Sequence, residues 1–343
     1  MSHLPQLIPS NSSRTITYSP AYTLIPTYEC FNRCTYCNFR ADPGQSPWMT
    51  LAQARTRLES LKSQGIIEIL LLSGEVHPQS PRRHAWFRRI YDLCALALEL
   101  GFLPHTNAGP LSFSEMAQLK QVNVSMGLML EQITPDLLKT VHRHAPSKIP
   151  AVRLQQLAWA GELKIPFTTG LLLGIGETPA DWADTLDAIA QLHNQAGHIQ
   201  EVILQPHRPG QTQIIVGTSF NPETLVNVVK LAREKLPPEI TLQIPPNLVS
   251  HSSRLIDCLE AGVRDLGGIG PRDEVNPDYP HPQASWLAEI LGQAKWVLTP
   301  RLPIYPQYDV WLPAWLHQRV KQWRKMISDC HINQHSQNHA GII

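Results

Sequence analysis

Apolar runs and amphipathic stretches alternate along the chain from about residue 20 to residue 297. This alternation is typical of a parallel sheet whose strands are joined by helical crossovers. The second run is continuously apolar, as expected of a strand that is buried on both faces. The eight runs interpreted as strands are YTLIPTYE (22–29), IIEILLLSG (66–74), FLPHTN (102–107), VNVSMGLMLE (122–131), PFTTGLLLG (166–174), HIQEVILQP (198–206), ITLQIPP (240–246) and VRDLGGI (263–269).

A helical pattern follows each strand, and eight βα units favour one α/β domain, a (β/α)8 TIM-type barrel over residues 21–297. Thr50 is the predicted N-cap of the first helix and Gly65 its stop. Residues 1–20 are a predicted N-terminal extension, and residues 298–343 a C-terminal extension that packs on the barrel and ends in a frayed polar tail. The predicted helices cover about 50–64, 83–100, a short segment after Ser114, segments up to about 163, 179–195, 222–235, 250–261 and 283–296.

Composition narrows the functional class. The chain has 343 residues, of which 43% are hydrophobic and 17% charged, as in a globular protein with a large core. A net charge of +1 gives no reason to expect a nucleic acid or an acidic membrane surface as partner. The N-terminus lacks a signal-peptide pattern, and no apolar run approaches the roughly 18 residues needed to cross a bilayer. We therefore expect a soluble, cytoplasmic protein whose six cysteines stay reduced.

Polar and glycine-rich segments follow all eight predicted strands. Active sites of α/β barrels lie at the carboxyl ends of the strands. A polar loop after any one strand is ordinary, but its recurrence after all eight favours a binding site. These segments are Cys30, SGE (73–75), HTNAG (105–109), Glu131, GIGET (174–178), QPHRPG (205–210), PPN (245–247) and GGIGPRDEVNP (267–277).

Three cysteines lie within CFNRCTYC, residues 30–37. A structural zinc site needs four ligands, so the fourth would have to come from elsewhere, for instance from one of the fifteen histidines. Three cysteines in eight residues suit no usual disulfide framework. A cubane iron–sulfur cluster is normally held by four thiolates, and three leave one iron with an open position for chemistry. The open cluster is the favoured interpretation, and zinc remains the alternative.

With its aromatic residue before the last cysteine, this segment resembles the C-x3-C-x-Φ-C motif of the radical S-adenosylmethionine (SAM) superfamily. The resemblance implies a barrel with a [4Fe–4S] cluster in the loop after strand one. Cys30, Cys34 and Cys37 would be its metal ligands and the catalytic centre, and the open iron would bind the amino and carboxylate groups of SAM. A non-enzymatic iron–sulfur or zinc protein is a rival that would need a fourth protein ligand and no SAM cavity.

Several SAM contacts follow from the same resemblance. Gly74 and Glu75 match the superfamily's GE pair, which holds the SAM ammonium, and Tyr36 matches the aromatic residue whose backbone contacts the adenine. Glu131 and Arg153 resemble an acid and a base that contact the ribose and carboxylate of SAM. An ordinary loop acid (Glu75), a packing ring (Tyr36) and a helix surface residue (Arg153) are the alternatives. Asn107, at the end of strand three, is a further candidate for the cofactor or the substrate.

The fifth strand carries a second matching pattern. Gly170, Leu172, Gly174 and Glu177 fit G-x-I-x-G-x-x-E, with leucine in the place of isoleucine. The resemblance implies that this backbone passes close to the adenine, and glycine suits such an approach because it has no Cβ.

A narrower resemblance covers nearly the whole barrel. Its segments are LPHTNAG (103–109), VSMGLMLE (124–131), GIGET (174–178), IPPNL (244–248) and DLGGIGPRDEVNP (265–277). They resemble the CofG-type subunit of FO synthases, which make the deazaflavin 7,8-didemethyl-8-hydroxy-5-deazariboflavin, the chromophore of coenzyme F420. The chain departs from that pattern at Leu266, where tryptophan is usual, and at QPHRPGQTQ (205–213), which places its substrate contacts in doubt more than its chemistry.

The resemblance implies that a 5′-deoxyadenosyl radical cyclises 5-amino-5-(4-hydroxybenzyl)-6-(D-ribitylimino)-5,6-dihydrouracil, a tyrosine–ribityluracil adduct, with loss of ammonia. The implied partners are a second, CofH-type subunit that supplies the adduct and an electron donor such as ferredoxin or flavodoxin. A related radical SAM enzyme of the biotin, thiamine or menaquinone type is the alternative. Polar candidates for substrate contacts at the strand ends are His105, Asn107, Gln205, His207, Asn247, Asp265 and Asn276.

Overall fold

The predicted apolar runs form parallel strands that close into a barrel. In the computed structural model, which describes residues 14–213, 220–249 and 251–339, the strands are β1 (Thr15–Leu24), β2 (Glu68–Leu72), β3 (Leu103–Asn107), β4 (Ser125–Gly127), β5 (Phe167–Leu173), β6 (Ile199–Pro206), β7 (Thr241–Gln243), β8 (Asp265–Ile269) and β9 (Val297–Pro300). Strands β2 to β8 follow one another around the sheet, and β1 closes the ring by pairing with both β2 and β8. The predicted (β/α)8 barrel is confirmed.

Helices cover the outside of this ring. They are α1 (Leu51–Glu59), α2 (Arg83–Glu99), α3 (Phe113–Leu119), α4 (Pro150–Glu162), α5 (Pro179–Ala196), α6 (Leu225–Lys235), α7 (Ser252–Ala261), α8 (Ala284–Gln293) and α9 (Ala314–His339). Thr50 caps α1 as predicted, in a reciprocal capping box with Gln53. The helix ends at Glu59 rather than at Gly65, because turns occupy the residues between them. The short third helix starts earlier than predicted, since its N-cap is Ser112.

The first strand lies seven residues before its predicted start. Strand β1 begins at Thr15, inside the segment 1–20 that we expected to be an extension, and ends at Leu24 rather than at residue 29. The chain beyond it is buried but pairs with loops instead of barrel strands: Pro26 O accepts from Met49 N (2.8 Å), and Thr27 O accepts from Gly74 N (2.8 Å). Cys30 therefore follows a buried connecting segment and not the strand itself.

Of the other strands, β4 and β7 are shortened most relative to the prediction. Only Ser125–Gly127 of the fourth run and Thr241–Gln243 of the seventh pair in the sheet. Proline has no N–H to donate, so Pro245 and Pro246 end β7. Beyond β4 the chain bends, and Glu131 has a positive φ of 66°, although its N–H still donates to Gly170 O (3.0 Å).

The C-terminal extension packs on the barrel as predicted and adds a ninth strand. β9 pairs in parallel with β1, with Val297 opposite Thr15. Helix α9 is attached to the barrel by Trp323, whose Nε1 donates to Gly101 O (3.0 Å). It is attached to the segment that precedes it by Arg324, whose Nε donates to Asp309 Oδ2 (2.6 Å). The backbone of α9 continues to His339, into the stretch for which we expected a frayed tail, and residues 340–343 lie outside the described residues.

Between β9 and α9 the chain crosses the amino end of the barrel. Pro303 O accepts hydrogen bonds from Ser125 Oγ (2.5 Å) and Gln200 Nε2 (3.2 Å), and Tyr305 N donates to Gln200 Oε1 (3.3 Å). Ser125 and Gln200 lie at the starts of β4 and β6, so this crossing segment closes the end of the barrel opposite the expected active site.

Apolar side chains of the strands and of the inner helix faces form one continuous core, in which Trp86 and Phe167 are among the largest fully buried residues. Full burial of one large apolar side chain contributes about 1.5–3 kcal/mol, so the barrel is stabilised mainly by this core. Over the ranges that the structure describes, no helix has both the length and the apolar character needed to cross a membrane.

We expect Gly170→Ala to lower the free energy of unfolding by about 1–3 kcal/mol, because a Cβ at this position of β5 would lie 2.3 Å from Ile203 O of the neighbouring strand. The matched control is Gly292→Ala in α8, where a Cβ meets nothing within 4 Å and the helix gains up to about 1 kcal/mol. Urea unfolding measures both changes. Equal effects of the two substitutions would contradict the close packing of β5 against β6.

Candidate functional site

A cavity of about 350 Å³ runs along the barrel axis from the carboxyl ends of the strands. At its mouth lie residues of the cysteine loop and of the loop after β8, among them Cys37 and Asn276. At its lower end lie Glu68, Glu201 and Arg301. Apolar side chains of the strand bodies line it between these polar ends: Leu70, Leu72, Leu172, Ile203 and Leu266.

The cysteine loop is held in place by backbone hydrogen bonds. Cys30 N donates to Ala41 O (3.0 Å), and Thr35 N donates to Val141 O (3.1 Å). Cys37 N donates to Cys34 O (3.2 Å), which forms a tight turn. All three cysteines are unbridged; Cys34 is buried, and Cys30 and Cys37 are half-buried. The loop thus presents three thiols from one short segment at the mouth of the barrel.

The thiols suit a metal group that carries positive charge. Burial, together with the nearby Glu75 carboxylate, raises the pKa of Cys30 to about 11, and burial raises the pKa of Cys34 to about 12. Metal ligands are thiolates, so here they require a cationic group that offsets the burial. Among the described residues, no three His, Cys, Asp or Glu side chains converge to hold a single metal ion. Three soft thiols on one short loop are the type of ligand that iron–sulfur clusters use.

Asn32 connects the cysteine loop to the predicted SAM residues. Its Nδ2 donates to Glu75 Oε2 (2.9 Å) and lies 3.7 Å from Cys30 Sγ, and its Oδ1 accepts from Ser147 N (3.1 Å). On the other side of the same carboxylate, Arg153 Nη2 lies 3.6 Å from Glu75 Oε1. The structure thus brings Glu75 and Arg153 together beside the cysteines.

Two glycines allow close packing here, Gly109 against the Glu75 carboxylate and Gly74 against the backbone that precedes the cysteine loop. A Cβ on Gly74 would lie 2.2 Å from Glu29 O, and one on Gly109 would lie 2.3 Å from Glu75 Cδ. Gly109 also has a φ of +79°, which side-chain-bearing residues rarely adopt. Gly74 therefore serves the packing of the loop after β2 against the cysteine loop.

Arg153 is not a helix surface residue. Only 2% of it is exposed, its Nε donates to Ser147 O (3.1 Å) and its Nη1 to Met129 O. It lies in the first turn of α4 and lines the cavity. Lys148, which the sequence analysis did not identify, lies beside it and forms an ion pair with Glu131. Although burial alone raises the pKa of Glu131, Lys148 and Arg153 hold that pKa below its usual value, so its carboxylate is ionised.

Tyr36 is half-buried and belongs to the cysteine loop itself. Its hydroxyl and His142 Nε2 are 2.9 Å apart, and its backbone O accepts from Gln213 Nε2 (2.7 Å). Its ring meets those of His142 and His207 edge-on, with centroids 5.5 and 6.3 Å apart. Tyr36 and His207 both line the cavity, so this aromatic group forms one wall near its mouth.

Glu177 holds the loop after β5 and does not line the cavity. Its carboxylate accepts from Gly174 N (2.6 Å), Ile175 N (2.8 Å) and Trp182 Nε1 (2.8 Å). Gly174, with φ +91°, packs against Phe220, and of the four residues in this pattern Leu172 alone lines the cavity. Leu172 therefore forms part of the cavity wall, and the other three residues of the pattern support the backbone that carries it.

Five of the predicted polar contacts line the cavity: His105, Asn107, Gln205, His207 and Asn276. Burial and the nearby Arg301 lower the pKa of His105 to about 3, so its imidazole, whose Nδ1 lies 2.7 Å from Ser125 Oγ, is neutral.

Asn247 and Asp265 do not line the cavity. Asn247 Nδ2 donates to Asp273 Oδ2 and Tyr279 O, both at 2.8 Å, and so holds the loop after β8. Asp265 is fully buried and accepts from Arg301 Nε (2.5 Å) and Nη2 (2.8 Å). Both residues support neighbours that line the cavity.

The loop after β8, which carries GGIGPRDEVNP, meets the cysteine loop. Tyr28 OH donates to Glu274 Oε2 (2.9 Å), and Asn38 Nδ2 donates to Asp278 Oδ2 (2.9 Å). The most specific segment of the narrower resemblance therefore forms the rim of the cavity next to the three thiols.

Arg301 lies at the lower end of the cavity, in the segment that crosses the amino end of the barrel. Its Nη2 donates to Glu201 Oε1 (2.8 Å) as well as to Asp265. Burial raises the pKa of Glu68, and burial with the nearby Asp265 raises that of Glu201 to about 8 despite the opposing effect of Arg301. The sequence analysis missed this group because Arg301 lies beyond the predicted barrel. The isolated Glu68 and Glu201 inside apolar strands were a signal available in the sequence.

The chain is similar to known proteins over almost all of its length. Residues 24–189 match the model of the family described as the radical SAM superfamily. The chain is 66% identical over 311 residues to the 7,8-didemethyl-8-hydroxy-5-deazariboflavin synthase of Trichormus variabilis, covering 91% of this chain and 92% of that protein. The protein of the same name from Trichodesmium erythraeum is 63% identical, and the alignment spans 92% of this chain and 99% of that protein. The FeFe-hydrogenase maturase HydG from Carboxydothermus hydrogenoformans shares the fold, with a TM-score of 0.71 at 16% identity, covering 90% of this chain and 77% of that one.

We expect the stability of the protein relative to its Glu201→Gln variant to fall as the pH rises from 5 to 9. The folded-state pKa of Glu201, about 8, lies above the ordinary 4.5, so the folded protein binds this proton more firmly than the unfolded chain. The stabilisation that this bound proton provides is complete below about pH 4.5 and is lost as the pH rises through 8. A glutamine side chain does not titrate and makes no such contribution. Urea unfolding at several pH values measures the difference, with the exposed Glu99→Gln as matched control. A pH-independent difference would contradict the raised pKa.

Proposed function

The chain belongs to the radical SAM superfamily and, within it, to the family of 7,8-didemethyl-8-hydroxy-5-deazariboflavin synthases, and from this premise we propose that it makes that deazaflavin. Its substrate is 5-amino-5-(4-hydroxybenzyl)-6-(D-ribitylimino)-5,6-dihydrouracil, which it cyclises with loss of ammonia. The observation that carries the proposal is the connection from the cysteine loop through Asn32 to Glu75 and Arg153, at the mouth of a cavity that reaches down the barrel.

Cys30, Cys34 and Cys37 hold a [4Fe–4S] cluster in this proposal, and SAM binds beside them. When bound, the cluster and SAM together supply a 5′-deoxyadenosyl radical that removes a hydrogen atom from the substrate. Glu75 is positioned to receive the ammonium of SAM, while Arg153 and Lys148 offer cationic partners for its carboxylate. Asn107 and Glu131, also in the cavity wall, are acceptors for ribose hydroxyls.

The remaining wall orients the substrate and excludes water. The apolar side chains between the two polar ends of the cavity suit the flat uracil and hydroxybenzyl rings, and a dry cavity protects a reactive radical from side reactions. The neutral imidazole of His105 is able to donate or accept one hydrogen bond without adding charge. Gln205, His207 and Asn276 offer further polar groups nearer the mouth.

We assign the chain to the CofG-type subunit, which closes the ring, rather than to the CofH-type subunit, which supplies the adduct. The segment GGIGPRDEVNP (267–277) supports this assignment, because it is the most specific part of the narrower resemblance and lies at the rim of the cavity, where Glu274 accepts from Tyr28 OH. An electron donor such as ferredoxin or flavodoxin reduces the cluster. The departures at Leu266 and at residues 205–213 fall on the cavity wall or its rim, where they adapt the fit of the substrate.

We expect Cys34→Ala to abolish both 5′-deoxyadenosine and deazaflavin formation, because the cluster loses one of three ligands. The anaerobically reconstituted protein is supplied with SAM, a strong reductant and the tyrosine–ribityluracil adduct. Chromatography follows 5′-deoxyadenosine, fluorescence follows the deazaflavin, and iron and sulfide analysis gives the cluster content.

The matched control is Cys258→Ala, which removes a buried thiol of α7 far from the loop and is expected to keep the cluster and both products. Deoxyadenosine without fluorescence from the wild-type protein would keep the superfamily assignment but refute this substrate. Neither product from a fully loaded cluster would refute the proposed chemistry.

We expect Glu75→Gln to weaken SAM binding about tenfold or more, since a neutral amide replaces the charge-assisted partner of the SAM ammonium. The amide oxygen still accepts from Asn32, so the loop connection persists. Calorimetry of SAM binding to the loaded protein measures the change, with Glu99→Gln as control. Unchanged affinity would mean that Glu75 serves the loop alone.

A further inference from the structure

The lower end of the cavity contains polar side chains that the binding of SAM does not use. Glu68, Thr168, Gln200, Glu201 and Arg301 line it there, and we call them the floor. Glu68 begins β2, Thr168 is the second residue of β5, and Gln200 and Glu201 are the second and third residues of β6. The floor is therefore at the amino end of the barrel, whereas Glu75 and the cysteines are at the carboxyl end.

The floor has too few cations for its acids to be ionised together. Three carboxyl groups, those of Glu68, Glu201 and the adjoining Asp265, surround the single guanidinium of Arg301. Arg301 contacts the Asp265 carboxyl at two points. Burial raises the pKa of Glu68, and burial with the nearby Asp265 raises the pKa of Glu201 to about 8, so near neutral pH Glu201 is a neutral acid with one O–H donor and free acceptor capacity.

The polar contacts within the floor are partly weak. Thr168 Oγ1 lies 3.4 Å from Glu201 Oε2, and Gln200 Nε2 lies 3.4 Å from Thr168 Oγ1. Bonds of this length contribute little, so these groups gain by bonding to a ligand that enters the floor. The floor offers donors and acceptors side by side, which is the requirement for a ligand whose hydroxyl groups both donate and accept.

We propose that the floor binds the polyhydroxyl chain of the substrate, with Glu201 and Thr168 bonding its hydroxyl groups and Arg301 positioning Glu201. This inference rests on the proposed function and adds the orientation of the substrate. With the polyol at the amino end, the two rings lie against the apolar wall, and the atoms that react face Glu75 and the cysteine loop. A phenol fits the floor less well, because its single hydroxyl group needs only one hydrogen-bond partner in an otherwise apolar pocket. An amine also fits less well, because its positive charge would need an ionised Glu201.

The test compares the binding of two ligands to the wild-type protein and to its floor variants. The ligands are the ribityl adduct and an analogue in which an n-pentyl chain, without hydroxyls, replaces the ribityl chain. Calorimetry measures their binding to the cluster-loaded protein with SAM present. We expect Glu201→Met to weaken binding of the ribityl adduct about tenfold or more and to change that of the pentyl analogue less than about twofold. Thr168→Val, a nearly isosteric change, is expected to act in the same direction.

Two further variants sharpen the result. Glu201→Gln is expected to restore most of the affinity, because an amide, like a neutral acid, both donates and accepts; Glu99→Gln, on the surface, is expected to change neither ligand. A loss in Glu201→Gln as large as in Glu201→Met would show an anionic Glu201 that binds an amine and would overturn the proposal.

Equal losses for both ligands would also overturn it, since they would show a purely structural floor. If Glu201→Met fails to fold, Thr168→Val decides between these outcomes. Deazaflavin formation by the wild-type protein is followed in parallel. Deazaflavin without selectivity for the ribityl chain refutes the floor assignment alone, whereas no binding and no turnover of the ribityl adduct refutes the proposed function with it.

Discussion

The contact of Asn32 with Glu75, and of Glu75 with Arg153, is the interaction on which the rest of the site depends. It joins the loop that carries the thiols to the carboxyl ends of the barrel strands, so metal ligands and the cationic and anionic groups beside them keep one geometry. It also satisfies buried charge, because the Arg153 guanidinium lies almost wholly out of water and a lone buried cation is costly. Together with the backbone hydrogen bonds that hold the loop, it fixes the position of the three thiols relative to the cavity.

The need to balance buried charge also shapes the other end of the cavity, where acids outnumber cations. At the mouth, Lys148 and Arg153 lie beside Glu75 and Glu131, and the Glu131 carboxylate carries charge. At the floor, Arg301 faces three acids, burial raises the pKa of Glu68, and Glu201, with a pKa of about 8, is a neutral hydrogen-bonding group near neutral pH. The barrel thus holds an ionic region where charged cofactor groups belong and a neutral polar region where hydroxyl groups belong, separated by apolar walls. This division accounts for the orientation that we propose for the substrate.

The sequence predicted the barrel and the cysteine loop because both rest on local patterns: apolar runs at strand length, and a spacing of three and two residues between thiols. It placed β1 wrongly, since the buried segment around Thr27 is as apolar as a strand but bonds to loops. Asn247 and Glu177 lie beyond the carboxyl ends of their strands, as expected, yet they bond to protein groups outside the cavity. The expectation for Asp265 was wrong, because this residue begins β8 at the amino end of the barrel and bonds to Arg301. Lys148 and Arg301 were missed because contacts between distant segments bring them to the site, and no local pattern marks such contacts.

The central claim is that three thiols hold a cluster whose open iron faces the cavity and binds SAM. Electron paramagnetic resonance of the anaerobically reconstituted, reduced protein tests it most directly, with spectra recorded before and after saturating SAM. The account predicts the signal of a reduced [4Fe–4S] cluster and a clear change of that signal when SAM binds to the open iron. A cluster signal that saturating SAM leaves unchanged, or a protein that takes up zinc but no iron, would contradict it.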